Sequence, residues 1–160
     1  MRRREISHKG IWVAVYLLTA LMVQAEGLNV VNCWSVKANP GEYVGQEISF
    51  NLILYGDRDS FERLEMPNRE DLVSFSAKAW RNRRKQTVFV QTEYPVPAEI
   101  YLVASPGWVE AFLTQHQSTG PIAYKVTGTV EKIPDGEHHF YIIRISNVTR
   151  GYYGGCPDMY

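Results

Sequence analysis

The sequence predicts a mainly β domain: a five-stranded Greek-key barrel with one short helix between its third and fourth strands, preceded by a signal-peptide helix. Three observations predict it. Several segments alternate apolar and polar residues with a period of two, the pattern of half-buried strands. One segment after residue 25, residues 105–116, instead repeats at helical spacing. The first 25 residues have the composition of an export signal rather than of a folded element.

The export signal comes first in the chain. Arg2, Arg3 and Arg4 supply a basic start, and an apolar run follows from Ile11 through Val23. Val23-Gln24-Ala25 then offers small or modest residues at the positions a signal peptidase inspects. A transmembrane anchor is the alternative, but spanning a bilayer takes about 20 apolar residues and this run is shorter. Residues 1–25 are therefore read as a cleaved signal and residues 26–160 as one domain, with no stable membrane span after cleavage.

Within that domain, Val30 to Val36 mixes β-branched and aromatic residues, and Asn39-Pro40-Gly41 closes it with a turn. In Tyr43 to Tyr55, Ile48, Phe50, Leu52 and Leu54 fall on one face and Ser49 and Asn51 on the other. Leu72 to Trp80 alternates again, with Val73, Phe75, Ala77 and Ala79 on the apolar side. Arg81 to Lys85 reads as a hairpin tip, and Thr87 to Thr92 as the returning strand. Pro95 and Pro97 interrupt that strand, because proline cannot donate to a ladder, and Ile100 to Ala104 resumes it. Ser105-Pro106 starts the helix, with serine as cap and proline in the first turn, and Trp108, Val109, Phe112 and Leu113 form its apolar stripe. Ile122 to Val130 and His139 to Val148 are the last two strands, joined across Pro134-Asp135-Gly136.

At this point the chain resembles small exported OB-fold proteins of bacteria. The features that carry the likeness are Tyr43-Val44-Gly45 before a long first strand, the helix placement, and the pair Val126–Val130 and Tyr141–Ile145. It covers about residues 43–148 and is a likeness of pattern, not of a signature motif. It implies a five-stranded barrel whose ligand face lies near the tip between the second and third strands. A β-sandwich is the rival, and predicts more strands and no helix.

Charge and cysteine content narrow the partners. The chain holds 17 cationic and 17 acidic side chains; residues 1–25 take four of the first and one of the second, leaving about −3 after cleavage. A mildly acidic domain is a poor general binder of nucleic acid, whose affinity rests on neutralising phosphates. The two cysteines, Cys33 and Cys156, fit a disulfide formed in an oxidising compartment, periplasmic or extracellular. Two unpaired thiols are the alternative, since pairing geometry is not readable from sequence.

Catalytic patterns are thin. His138 and His139 fall on opposite sides of a strand and so do not converge on one metal. Asp57 and Asp59 form an acidic loop suited to a hard cation, but without EF-hand spacing. No catalytic residue, metal site or cofactor is assigned. The sharpest surface feature is Trp80-Arg81-Asn82-Arg83-Arg84-Lys85, where cations flank an aromatic ring in a manner suited to an anionic partner. A charged tip that merely keeps a sheet edge soluble is the plainer reading. Tyr152 and Tyr153, beside Gly154-Gly155, add a candidate aromatic clamp. The sequence thus points to an exported, non-catalytic binding module engaging an anionic ligand or a partner protein. Its alternatives are a structural or assembly subunit of an envelope complex and, less favoured, a cation-dependent nuclease using Asp57 and Asp59.

Overall fold

A computed structural model describes residues 29–55, 69–81, 84–90, 99–116 and 121–151. The signal segment 1–25, Asp57 and Asp59, Arg83, the Pro95–Pro97 break, Tyr152, Tyr153 and Cys156 all lie outside these residues.

The domain is mainly β. Its strands are β1 (Asn29–Val30), β2 (Glu47–Tyr55), β3 (Val73–Phe75), β4 (Ala77–Arg81), β5 (Arg84–Phe89), β6 (Ile100–Ala104), β7 (Pro121–Asp135) and β8 (His138–Arg150). Among the described residues two helices accompany them, α1 (Cys33–Ala38) and α2 (Pro106–Gln115), with a 3-10 turn at Pro40–Tyr43. The sheet runs β3-β6-β8-β7-β2-β4-β5, with β1 added in parallel beside β2. Only Ser76 separates β3, at one end of that order, from β4, next to the other end, so the sheet curls back on itself as a half-barrel.

The expected count of five strands is corrected to eight among the described residues, and the reasons are local. The stretch read as one strand from Leu72 to Trp80 is interrupted at Ser76: β3 pairs with β6, whereas β4 pairs with β2 and β5. Even so, Val73, Phe75, Ala77 and Ala79 all enter the same core, as their alternation predicts. The third expected strand is likewise two pieces, β5 and β6, on either side of residues 91–98. Strand β1 adds a further short piece at the amino-terminal side.

The leader segment Val30 to Val36, to which the sequence pattern assigns no element, turns helical after Asn32, whose side-chain oxygen accepts from the Trp34 amide at 2.8 Å. That is an N-cap, and it lets Cys33 and Val36 bury on one side of α1. The domain therefore has a second helix besides the one expected. Helix α2 matches its expectation: Ser105 caps it, Pro106 occupies its first turn, and Val109, Phe112 and Leu113 are buried.

The main core lies between the concave face of the sheet and the helices. Phe112 sits edge-on to Tyr124 of β7 at 5.3 Å and stacks on Trp108 at 5.2 Å; Trp108 in turn stacks on Phe75. A smaller cluster, Leu72, Tyr101, Val103, Phe140 and Ile142, covers the reverse face near β6 and β8. The reverse face of β2 is not simply polar either. Ser49, expected to face solvent, is fully buried and its hydroxyl shares a 3.3 Å hydrogen bond with Thr127 on the neighbouring strand. Two hydroxyls that satisfy each other remove much of the cost of burying either.

Strands β7 and β8 form the longest hairpin. Asp135 pairs with His138, and Gly136 between them takes φ 59°, as a two-residue hairpin connection requires. The turn thus falls one residue later than Pro134-Asp135-Gly136 suggested. Farther along, the register skips between Thr127 and Gly128, leaving Ser146 as an extra residue on β8. Such a bulge bends a strand and raises its twist, which favours the curl of the sheet.

A cationic hairpin seated on tryptophan

The tip predicted at Arg81–Lys85 is the end of the β4–β5 hairpin. Trp80 pairs with Lys85 and Arg81 with Arg84, so all four side chains belong to strands. Alternation places Ala77, Ala79 and Arg81 on one face of β4 and Lys78 and Trp80 on the other. Directly opposed residues project from the same face, so Arg81 and Arg84 stand side by side, as do Trp80 and Lys85.

Each of three cations on this hairpin lies over an aromatic ring. The Arg81 guanidinium sits 5.0 Å from the centroid of Trp34, the Lys85 ammonium 5.7 Å from Trp80, and the Lys78 ammonium 5.2 Å from Tyr55. These are cation–π distances, contributing about 0.5–1 kcal/mol each at exposed sites. Among the described residues, strand β4 pairs with β2 only at Lys78 opposite Ile53, so its far end has no described strand partner on that side. The indole of Trp34 takes that place, donating from Nε1 to the Trp80 carbonyl at 3.1 Å. Helix α1 thus adds to the core contacts of Cys33 and Val36 a side-chain hydrogen bond from Trp34, which both fixes β4 and supplies the surface on which Arg81 rests.

Trp34 is the residue that the sequence reading missed. It lies 46 positions from Trp80 in a segment with no charge pattern, and its only signal was a large aromatic beside a capping asparagine. Among the described residues neither Arg81 nor Arg84 forms an ion pair with a carboxylate. The indole N–H of Trp80 is buried and finds no acceptor among them. The hairpin thus sets two arginines side by side with no described carboxylate against them.

The other candidates stand apart from it. His138 is exposed, while His139 shares a 3.3 Å hydrogen bond with the Tyr141 hydroxyl. Among the described residues, no group of three His, Cys, Asp or Glu side chains is placed to hold a metal ion. Also among them, no helix is long and apolar enough to cross a membrane. A two-point ion pair joins β7 and β8: Arg144 donates to both carboxylate oxygens of Glu131, at 2.6 and 3.0 Å. This fork holds the Glu131 carboxyl below its ordinary range and raises Arg144, mainly through the hydrogen bonds themselves. Asp71, hydrogen-bonded by Arg69 at 3.2 Å, is lowered in the same way. The Arg144–Glu131 fork ties β7 to β8, and charges already paired in this way offer little to a ligand. Cys33 is buried in the core beside Val36.

Compared with known protein families, with characterised proteins and with solved structures, the chain matches none.

Proposed function

We propose that this is an exported, non-catalytic binding module built on an OB-fold-like barrel, which engages an anionic ligand through the β4–β5 hairpin. Treating β3 with β4 and β5 with β6 as interrupted single strands reduces the sheet, β1 aside, to five, with α2 between the third and the fourth. The one parallel pairing within that set, β6 beside β8, then joins the third strand to the fifth. That arrangement supports the Greek-key reading. The basic start and apolar run of residues 1–25 support export.

One observation carries the functional part: Arg81 and Arg84 stand directly opposite each other, and Arg81 is seated on Trp34. Like charges facing across a ladder destabilise it. A sequence that keeps them in register, without a described carboxylate between them, is arranged for an anion arriving from outside. The test uses heparin as a generic polyanion. Since the domain carries about −3 overall, retention on heparin must come from a local cationic patch. The wild-type protein should be retained and elute with rising salt, and the Arg81→Glu/Arg84→Glu variant should pass through. Equal elution of the two defeats the assignment.

An assembly role is the second reading. Strand β5 ends the sheet order among the described residues, and its residues Arg84 to Thr87 are exposed, which suits an edge on which another chain adds a strand. Copurification of one protein at fixed stoichiometry, insensitive to the arginine substitutions, would favour it.

A further inference from the structure

We infer that Arg81 and Arg84 form a two-guanidinium clamp for a tetrahedral phosphoryl oxyanion, with Trp34 as its positioning residue. The inference rests on the binding-module reading above and names the chemistry its site selects. Opposed residues on an antiparallel pair hold their Cβ atoms roughly 4.5–5.5 Å apart, so both guanidinium groups reach one small anion from the same face. Arg81 is already held over Trp34, which removes much of the rotamer freedom it would otherwise lose on binding.

The rings themselves are the wrong platform for a flat ligand. The faces of Trp34, Trp80 and Tyr55 that the hairpin approaches are covered by Arg81, Lys85 and Lys78. A nucleobase or sugar ring would have to displace a cation to stack there. A compact anion meets the cations without displacing anything. Among compact anions, geometry then chooses. A carboxylate has two oxygens and is satisfied by one arginine fork, leaving the second arginine without a bidentate partner. A phosphoryl group has oxygens for both forks and carries enough negative charge to offset the repulsion between them.

Two sources share this chemistry, a soluble phosphate ester and a lipid headgroup. The probe is inorganic phosphate, titrated calorimetrically into the purified protein against acetate at matched ionic strength. Phosphate should bind and acetate should not. Arg84→Gln should weaken phosphate about tenfold or more, the scale of a lost charge-assisted hydrogen bond. It should also raise the melting temperature without phosphate, because the opposed like charge is gone, and it should abolish the rise that phosphate gives the wild type. The Arg81→Lys/Arg84→Lys variant keeps the charge but loses the forks; it should still be retained on heparin yet lose the preference for phosphate over acetate.

Vesicles containing phosphatidic acid, compared with pure phosphatidylcholine vesicles, separate the sources. Binding that inorganic phosphate competes away assigns the headgroup, and phosphate binding without vesicle binding assigns a soluble ester. Equal binding of acetate and phosphate, or an Arg84→Gln protein that binds phosphate as the wild type does, overturns the clamp. If the wild type is still retained on heparin in an arginine-dependent way, only the clamp has failed. If heparin retention also ignores Arg81 and Arg84, the binding-module reading has failed with it.

Discussion

Replacing Gly128 with alanine tests whether the β7–β8 bulge depends on close backbone contact. A Cβ at position 128 would stand 2.6 Å from the Arg144 carbonyl oxygen, 2.9 Å from Ile143 Cγ2 and 3.1 Å from the Arg144 carbonyl carbon. The isoleucine methyl can rotate aside, but the carbonyl belongs to the strand backbone. Restoring an ordinary contact means moving β8 by several tenths of an ångström at the point where its register already skips. Overpacking of this kind costs about 1–3 kcal/mol, and the reduced freedom of the unfolded chain returns roughly 0.4–1 kcal/mol. A net loss of about 1–2 kcal/mol should lower the melting temperature by roughly 3–10 °C in a domain of this size. Urea unfolding followed by circular dichroism measures it, with a lower midpoint and an unchanged slope as the expected result. Gly107→Ala is the control, because a Cβ there meets nothing within 4 Å. It should be neutral or slightly stabilising. If Gly128→Ala unfolds at the same midpoint as Gly107→Ala, the contact does not constrain the fold and the account of the bulge is wrong.

Three further outcomes are expected. The Glu131 carboxyl is depressed by Arg144, so its contribution is present above the unfolded-state value of 4.5 and is lost as pH falls through the lower folded value. Stability should therefore decline below about pH 4.5, and Glu131→Gln should flatten that decline by about 0.5–1 kcal/mol, a figure reduced for the 35% and 32% exposure of the two side chains; parallel acid titrations of the two proteins would refute it. Trp34→Phe removes the donor to the Trp80 carbonyl while keeping a ring under Arg81, and should cost about 0.5–1.5 kcal/mol in urea unfolding, with Trp34→Ala costing more; a phenylalanine variant as stable as wild type would show that the indole N–H is not needed. If Cys33 and Cys156 pair after export, alkylation of the unfolded, unreduced protein should label neither, and intact mass showing two labels ends that proposal.

Elements with a strong period were legible, and those defined by long-range contact were not. Four apolar residues at alternate positions from Val73 to Ala79 all reach one core even though the strand they share is broken at Ser76. Helix α2 was readable because its cap, its proline and its apolar stripe are all local. Helix α1 was not, because six residues carry too little period and their composition, with Trp34 and Val36, favours strand as much as helix. The burial of Ser49 was also hidden, since it depends on a hydroxyl 78 positions away on β7. At the candidate site the hairpin and its cations were legible from the charge run, but Trp34 was not. Nothing in the local sequence of either segment signals that an indole from α1 completes the edge of β4.

The breaches of local rules in this domain are not equivalent, and the difference is what singles out the hairpin. Burying Ser49 violates the polar-outward pattern of β2, and Thr127 compensates it within the fold. The skipped residue Ser146 interrupts the β7–β8 ladder, and its hydroxyl donates to Glu47 and to the Thr127 carbonyl. Arg144 and Glu131 bring charge onto the sheet in equal and opposite amounts. The Arg81–Arg84 opposition has no such answer among the described residues, whereas a buried polar atom without a partner does not distinguish the hairpin, since Ser74 Oγ on β3 shares that state with the Trp80 N–H. Proteins tolerate uncompensated local conflict mainly where a function requires it. A tip meant only to keep the sheet edge soluble would be served equally well by lysines of staggered register. It would not need a tryptophan brought from another helix to hold one arginine in place. The pairing of a like-charge conflict with a dedicated support for one of its members is the ground for the proposed binding site, because a merely soluble edge needs neither.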